Sequence, residues 1–375
     1  MPYGPLFRRT IEREKNLALG TNGGDAEAHM SMSNNAKSDL RWWISNLPHS
    51  SAPINRNHPD YVLETDASAL GWGANLNGRT TGGRWSKDES NRHINWLELK
   101  ACFLALKSFF HKAYDIHILV RSDNVSVVAY IGHFGGSKSI SLNALMKEIW
   151  LFCMARSIWL TASHIPGSRN IEADSASRQF QDNLEWKLNP SLFSEILNLF
   201  PIPDIDLFAS RLNYQIMPYV SWKADPGSTY VDAFTLDWSR FSCFYEFPPF
   251  CLLNKVLRKI EQDQASGILI VPLWHTQPWF PAMLRLLVKT PIILPNQEDS
   301  LVLPFSDRLH PLRDRLRLTV CLLSGKRSAT KVYQSQLPSL SLPHADLEQR
   351  NVTEQRSTNG FTSVLRQKLI HFDQL

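Results

Sequence analysis

The sequence has few cysteines, and none of them lie close together. Its five cysteines are Cys102, Cys153, Cys243, Cys251 and Cys321. A disulfide framework needs an even, closely spaced set, and structural zinc sites use Cys-x₂-Cys pairs. We therefore expect neither a disulfide framework nor a zinc site, and a reducing compartment fits this composition.

Long apolar runs are also missing. The longest in the C-terminal half, Ile268–Trp274, is far shorter than the roughly 20 residues of a membrane-spanning helix. The N-terminal segment MPYGPLFRRTIEREKNLALG lacks the apolar centre of a signal peptide. We therefore expect an intracellular protein, in the cytoplasm or nucleus, with no membrane partner.

Neither sign of charge is in strong excess. The 375 residues carry 40 Lys and Arg against 35 Asp and Glu, a net charge of +5. This mildly basic balance permits a nucleic-acid partner without requiring one, since phosphate binding depends on where the cations cluster. A hydrophobic content of 43% is that of a globular protein, and the length suffices for two domains.

Composition and periodicity suggest four segments. Residues 1–38, rich in Gly, Asn and Ser around 20–35, are expected to form a tail. Residues 39–185 and 200–305 are predicted to be two domains. Residues 306–375, rich in Arg, Ser, Gln and Leu without a clear period, are expected to be a poorly ordered tail.

The first predicted domain contains an alternating series of elements. Strands are predicted at 61–68, 71–77, 81–86, 116–123 and 157–164, and helices at 93–112, after 124, and at 139–156 and 171–180. This order predicts an α/β fold, with a mixed five-stranded sheet, flanking helices and a second, smaller α/β domain.

Four acidic residues lie at the edges of these elements or on a helix. Asp66 ends the first strand, Glu98 lies among apolar residues of a helix, Asp123 ends the fourth strand, and Asp174 begins the last helix. The first and fourth strands of a mixed sheet are commonly adjacent, which would bring Asp66 and Asp123 side by side. Such carboxylates suit a pair of Mg²⁺ ions acting on a phosphodiester.

Each acid taken alone has an ordinary structural explanation. Asp123 precedes a helix and could be its N-cap, and Glu98 could be a solvated helix residue. The combined order and context of the four acids favour a metal site.

Four segments carry a family resemblance. ETDASALGWGA, INWLELKA, RSDNVSVVAYI and HIPGSRNIEADSASR resemble, in this order, the ribonuclease H domain of reverse-transcribing elements, especially those of DIRS type. The resemblance covers about residues 39–180. It implies a ribonuclease H-like fold and a metal-dependent endonuclease that hydrolyses the RNA strand of RNA–DNA hybrids. It also implies two Mg²⁺ ions, for which Mn²⁺ can substitute.

The resemblance assigns roles to individual residues. The family's four metal-binding acids fall on Asp66, Glu98, Asp123 and Asp174, and its mobile histidine falls on His164. A lone loop histidine is usually a surface residue, but the position of His164 in the segment HIPG favours proton transfer or product release.

One departure from the family is visible. The short segment GHFGGSKS leaves no room for the extra basic helix with which some cellular relatives hold hybrids. Contact with a hybrid could instead come from Arg84, Lys87, Lys138 and Arg169. Ordinary solvated surface is an equally good explanation of these cations.

The C-terminal region carries a second resemblance. DIDLFASRLN, YVDAFTLDWS and YEFPPF resemble the phage-type adenine-N6 DNA methyltransferases that some DIRS-type elements carry. Pro248, Pro249 and Phe250 match the family's motif, but Phe247 stands where the family has an acidic or amide residue. Without that acceptor the target amine has no partner, so we expect a degenerate domain.

Three functional hypotheses follow. The first is the ribonuclease H, with an RNA–DNA hybrid as its partner. The N-terminal segment resembles the end of an upstream polymerase region, so a reverse transcriptase polymerase region is a further expected partner. The second is a catalytically decayed or domesticated nucleic-acid-binding protein. The third is strand transfer by an integrase, but integrases have a glutamate as the last acid, where this chain has Asp174.

Overall fold

The computed structural model of the protein describes residues 3–49, 58–339 and 361–375. The chain divides into two compact units, with the boundary between Phe180 and Gln181. Within the described ranges no helix is both long and apolar enough to span a membrane. All five cysteines are free thiols, and Cys251 is the exposed one.

A single sheet organises the first unit. Its strands are β1 (Tyr61–Ala67), β2 (Gly71–Leu76), β3 (Arg79–Arg84), β4 (His117–Ser122) and β5 (Trp159–His164). The order across the sheet is β3-β2-β1-β4-β5. The pairs β1–β2 and β2–β3 are antiparallel, and the pairs β1–β4 and β4–β5 are parallel. The predicted α/β fold with a mixed five-stranded sheet is confirmed for this unit.

Helices flank this sheet. They are α1 (Arg9–Thr21), α2 (Asn34–Asn46), α3 (Lys87–Ser90), α4 (Ile94–Phe110), α5 (Val125–Gly132), α6 (Ile140–Met154) and α7 (Ile171–Arg178). The strands and helices predicted between residues 61 and 180 agree with the structure to within two residues at each end. Helix α4 is apolar on nearly all sides and lies in the core, as such a helix must.

Helix α7 packs on glycines of β2 and β3. A Cβ atom added at Gly73 would lie 2.1 Å from the carbonyl oxygen of Ala173, and one at Gly82 would lie 2.7 Å from that of Ala176. Because glycine has no side chain there, the helix backbone can approach the sheet directly. This close approach sets the position of Asp174.

The prediction that residues 1–38 form a separate N-terminal tail is wrong. Residues 1–38 were expected to lie outside the first domain, but α1 lies in this range and Leu6 and Phe7 are buried in the core of the first unit. The ring of Phe7 stacks on that of Trp42 at 3.7 Å between centroids. A few large apolar residues anchor the segment, and its overall polar composition concealed them.

The second unit contains a seven-stranded sheet and, among its described residues, two two-stranded sheets. The strands of the whole unit are β6 (Lys187–Leu188), β7 (Ile205–Asp206), β8 (Val220–Ser221), β9 (Tyr230–Val231), β10 (Phe244–Glu246), β11 (Ser266–Pro272), β12 (Ile292–Ile293), β13 (Leu301–Val302), β14 (Leu318–Ser324), β15 (Phe361–Leu365) and β16 (Lys368–Gln374). Its helices are α8 (Pro190–Leu199), α9 (Leu253–Gln262), α10 (Phe280–Leu286) and α11 (Arg327–Gln336). The seven-stranded sheet has the order β15-β16-β12-β14-β11-β10-β7, and the two-stranded sheets pair β6 with β13 and β8 with β9.

The second unit extends beyond the predicted boundaries of 200–305. It begins at Gln181, and β14, which lies in the predicted tail 306–375, is an inner strand between β11 and β12. A strand buried on both faces is a continuous apolar run without alternation. The segment LTVCLLS therefore shows no period-two pattern, which is why the sequence did not reveal it.

Two buried acids lie at the ends of neighbouring parallel strands in this unit. Asp206 ends β7 and Glu246 ends β10, and both side chains are almost completely buried. Burial raises the pKa of Asp206 to about 7, and it raises the pKa of Glu246 well above its ordinary value.

The stability of the second unit should therefore fall as pH rises through 7. A carboxyl whose pKa is raised in the folded state favours folding below its unfolded pKa, and this contribution is lost as pH rises through the folded pKa. For Asp206 the loss between about pH 5 and about pH 8 amounts to about 3 kcal/mol. This change in the free energy of unfolding is measured by urea unfolding at both pH values, monitored through hydrogen exchange of the amides of β10 and β11. Asp206→Asn should reduce the difference, and an unchanged difference would contradict the assignment.

Candidate active site

Three of the four predicted acids meet at one end of the first sheet. One carboxylate oxygen from each of Asp66, Glu98 and Asp123 lies within 4.8 Å of the other two. We call these three residues the acidic triad. Asp66 is 4% exposed and Glu98 is 6% exposed, so two of the three carboxylates are withdrawn from water.

The pairing of β1 with β4 brings two of the acids together. These strands are adjacent and parallel, and Glu64 is paired with Arg121 in their register. Asp66 therefore lies two residues beyond Glu64, and Asp123 lies two residues beyond Arg121, at the same edge of the sheet. The predicted adjacency of the first and fourth strands is confirmed.

Asn124, not Asp123, is the N-cap of α5. Its side-chain oxygen accepts hydrogen bonds from the backbone N–H groups of Ser126 and Val127. The Asn124 side-chain amide also donates to Oδ1 of Asn95 in the first turn of α4. The alternative that Asp123 serves as the helix cap is therefore wrong, and its carboxylate is available to the triad.

Glu98 is the most perturbed member of the triad. Helix α4 carries it into the core, where burial and the neighbouring charges of Asp66 and Asp123 raise its pKa to about 9. The backbone N–H of Ala67 donates to this carboxylate and opposes the shift. Its Oε2 atom is buried without a hydrogen-bond partner among the described residues. An orphaned buried oxygen of this kind is a ready cation ligand.

The carboxylate of Asp66 is held from the opposite side. Burial raises its pKa, and the negative charges of Asp123 and Asp174 raise it further. Ser177 opposes these effects, because its Oγ atom lies 2.7 Å from Oδ2 of Asp66. This serine, fully buried in α7, was not recognised from the sequence.

Asp174 lies near the triad but outside its 4.8 Å group. It is in the first turn of α7, about half exposed, and its Oδ1 accepts a hydrogen bond of 2.7 Å from Nε of Arg178. The negative charge of Asp174 contributes to the raised pKa of Asp66. The structure thus brings three predicted acids into contact and leaves the fourth at the rim.

His164 borders the site through Asp123. Its Nε2 atom donates to the backbone oxygen of Asp123 at 3.1 Å, and the ring is exposed. Three residues later, a Cβ atom added at Gly167 would lie 3.0 Å from Oδ2 of Asp123. The loop after β5 therefore packs directly on this acid, and a larger residue at position 167 would require the Asp123 side chain to move.

The four candidate cations lie in different parts of the first unit. Arg169 ends the short turn after Gly167, on the loop that borders Asp123. Arg84 ends β3 with its guanidinium 4.4 Å from the ring centre of Phe180, and Lys87 begins α3. Lys138 precedes α6. Of the four, Arg169 is the one on a loop that contacts an acid of the site.

The donor set of the triad suits a hard divalent cation. All of its ligand atoms are carboxylate oxygens, the preferred ligands of Mg²⁺. Like charges at this separation in a poorly solvated site are unfavourable unless a proton or a cation neutralises them. The triad could therefore hold a divalent ion, and it could hold that ion beside a phosphate.

Two further features of the site were not predicted from the sequence. Ser177 lies three residues after Asp174, one helical turn along, and a small polar residue at that spacing could have drawn attention to it. The contact between Asn124 and Asn95 links two elements that are far apart in the sequence. No local pattern predicts such a contact.

Comparisons with known proteins place these features in context. No protein-family model matches the sequence. The chain is 26% identical to the enzymatic polyproteins of two cauliflower mosaic virus strains, D/H and Strasbourg, over 34% of its length. It spans about a fifth of the length of these curated relatives, 21% and 20% respectively.

The chain is also similar to several solved structures. One is ribonuclease H1 of the archaeon Halobacterium salinarum NRC-1, with 17% identity over 31% of this chain and 92% of that one, at a TM-score of 0.25. Another is LC11-RNase H1 in complex with an RNA/DNA hybrid, with 22% identity, 31% and 93% coverage, and a TM-score of 0.27. A third is the foamy viral protease-reverse transcriptase in complex with an RNA/DNA hybrid, with 10% identity, 44% and 28% coverage, and a TM-score of 0.22.

Mg²⁺ should raise the unfolding temperature of the first unit. A ligand that binds only the folded state stabilises it by about 2.7 kcal/mol when its concentration is a hundred times its Kd. For a domain of this size, each kcal/mol raises the unfolding temperature by about 2–4 °C. Differential scanning calorimetry with and without Mg²⁺ measures the shift. Glu98→Gln removes one ligand oxygen and should abolish most of it. The exposed Glu148→Gln on α6 is the matched control, and a full shift in Glu98→Gln would rule out the triad as the binding site.

Proposed function

We propose that the first unit is a metal-dependent endonuclease that hydrolyses the RNA strand of RNA–DNA hybrids. The observation that carries this proposal is the acidic triad, in which three carboxylate oxygens lie within 4.8 Å of one another. Two of these acids are buried, and Glu98 retains an oxygen without a partner. A site of this composition offers a cation oxygen ligands, and a bound cation would replace the proton that otherwise neutralises Glu98.

The proposed metals are two Mg²⁺ ions, for which Mn²⁺ can substitute. When bound, such ions polarise a phosphate and lower the pKa of water. Asp66, Glu98 and Asp123 would hold the first ion, and Asp174 would contribute to the second. Because Asp174 pairs with Arg178 at an exposed position, that ion pair is worth little and a cation can displace it.

His164 is assigned a role at the exposed rim of the site. Its ring donates to the backbone of Asp123 through Nε2, which leaves Nδ1 as the second nitrogen for proton transfer. We propose that it moves a proton at the 3′-oxygen that leaves, or assists product release. Contacts with substrate 2′-hydroxyl groups would distinguish the RNA strand from DNA.

The wider context of the nuclease is a retroelement of DIRS type. The 26% identity to viral enzymatic polyproteins supports a reverse-transcribing origin, and the motifs around Asp66, Glu98, Asp123 and Asp174 support the DIRS-type resemblance. An RNA–DNA hybrid is the proposed substrate, and a polymerase region is a proposed partner. The alternative is a decayed or domesticated nucleic-acid-binding protein, to which the same fold would be suited.

A cleavage assay tests the nuclease directly. The full chain is incubated in Mg²⁺ with a hybrid whose RNA strand is end-labelled, beside Asp66→Asn and Asp123→Asn. The wild type should cut the RNA strand, and each variant should lose at least about a hundred-fold in rate, because removing a ligand costs more than removing its supporting contact. Glu148→Gln should cut like the wild type.

The outcomes of this assay separate the hypotheses. Cleavage that survives both aspartate substitutions would exclude the triad as the active site. A wild type that binds the hybrid without cutting it would favour the decayed or domesticated protein. In a parallel reaction with an end-labelled DNA duplex, joining of DNA ends would favour the integrase alternative.

For the second unit we propose a degenerate methyltransferase-like domain. The Pro248–Pro249–Phe250 sequence follows β10, but the preceding Phe247 offers no acceptor for a target amine. Glu246 does not replace it, because its side chain is completely buried within the unit. The residues at this position therefore do not fit the methyl-transfer role, and the proposed function of this unit is packing or DNA binding.

S-adenosylmethionine should not bind to the second unit. Isothermal titration of the full chain with S-adenosylmethionine is expected to give no saturable heat, because we assign no residue of this unit to that cofactor. Saturable binding by the wild type would contradict the view that this domain is degenerate.

A further inference from the structure

Ser177 lies at the contact between α7 and the acidic triad. Its side chain is completely buried, with Oγ 2.7 Å from Oδ2 of Asp66 and 2.8 Å from the backbone oxygen of Asp174. A hydroxyl has a single hydrogen to donate, and both neighbours are acceptors. A carboxylate is the stronger acceptor, so this hydrogen is directed to Asp66.

The docking of α7 does not depend on the Ser177 hydroxyl. The side-chain amide of Asn170 donates to the backbone oxygen of Thr65 at 3.0 Å, and the Ser68 hydroxyl donates to the backbone oxygen of Ser177 at 2.6 Å. The helix backbone also rests on Gly73 and Gly82. The hydroxyl is therefore available for a role other than attaching the helix.

That role concerns the orientation of one carboxylate. A carboxylate held through one oxygen presents its other oxygen in a fixed direction, and supporting hydrogen bonds of this kind orient metal ligands. We infer that Ser177 is a positioning residue whose hydroxyl fixes the Asp66 carboxylate for divalent cation binding by the acidic triad. This inference rests on the metal centre of the proposed function.

The test measures metal binding apart from catalysis. Mn²⁺ is titrated into the full chain and into Ser177→Ala by calorimetry, and thermal unfolding is recorded in metal-free buffer. Ser177→Ala should bind Mn²⁺ about ten-fold more weakly, as the loss of a ligand's supporting contact does. Its metal-free unfolding temperature should stay close to that of the wild type. Ser177→Cys retains a weak donor, so its Mn²⁺ affinity should lie between those of the wild type and Ser177→Ala.

Two control variants separate positioning from general weakening of the helix. Ser175→Ala makes the same chemical change in α7 at a half-exposed position. Ser68→Ala removes the hydrogen bond that attaches α7, together with those that Ser68 Oγ accepts from the backbone N–H groups of Leu70 and Gly71, but it removes no hydrogen bond to Asp66. Both should keep the Mn²⁺ affinity of the wild type. Equal loss of affinity in Ser68→Ala and Ser177→Ala, or no loss in Ser177→Ala, would overturn the inference.

The same experiment distinguishes this inference from the nuclease proposal. A wild type that binds no Mn²⁺ would overturn both the metal centre and the role of Ser177. A wild type that binds Mn²⁺ in a Ser177-dependent manner but fails to cut a hybrid would support this inference and overturn the nuclease alone.

Discussion

The repulsion among three carboxylates is the constraint on which the first unit depends. Charges so close together in a buried site are costly, so Asp66, Glu98 and Asp123 would separate if their backbones were free, and in the folded unit the pKa of Glu98 rises to about 9. They stay together because they are fixed to rigid elements. Two of them extend from adjacent parallel strands, and the third extends from a helix buried in the core.

Glycine residues allow α7 to pack against the sheet beside the acidic triad. Helix α7 must approach β2 and β3 closely enough for its first turn to reach the triad, and glycines at 73 and 82 allow that approach. Hydrogen bonds from Asn170 and Ser68 then attach the helix to the strand that carries Asp66. The site is therefore organised by side chains that take no part in chemistry.

The buried acids of the second unit have different surroundings from those of the acidic triad. Asp206 accepts hydrogen bonds from the backbone N–H groups of Phe208 and Gln215, which partly offset the cost of burying it. Glu246 has no such partner among the described residues, and burial favours its neutral form. Among the residues that the structure describes, neither acid belongs to a group comparable to the triad. In the first unit three buried or half-buried carboxylates form one cluster. In the second unit the buried carboxyls are outside such a cluster, and burial favours their neutral form.

The sequence by itself determined the five strands and the four long helices between residues 61 and 180 and the adjacency of Asp66 and Asp123, but it did not reveal the short helix α3. Periodicity, turn residues and the preference for neighbouring parallel strands are local or nearly local properties. Tertiary structure alone decided that Leu6 and Phe7 join the core, that β14 is an inner strand, that Asn124 caps α5, and that Ser177 contacts Asp66. Each of these depends on packing between segments far apart in the chain, whose geometry no local pattern of residues encodes.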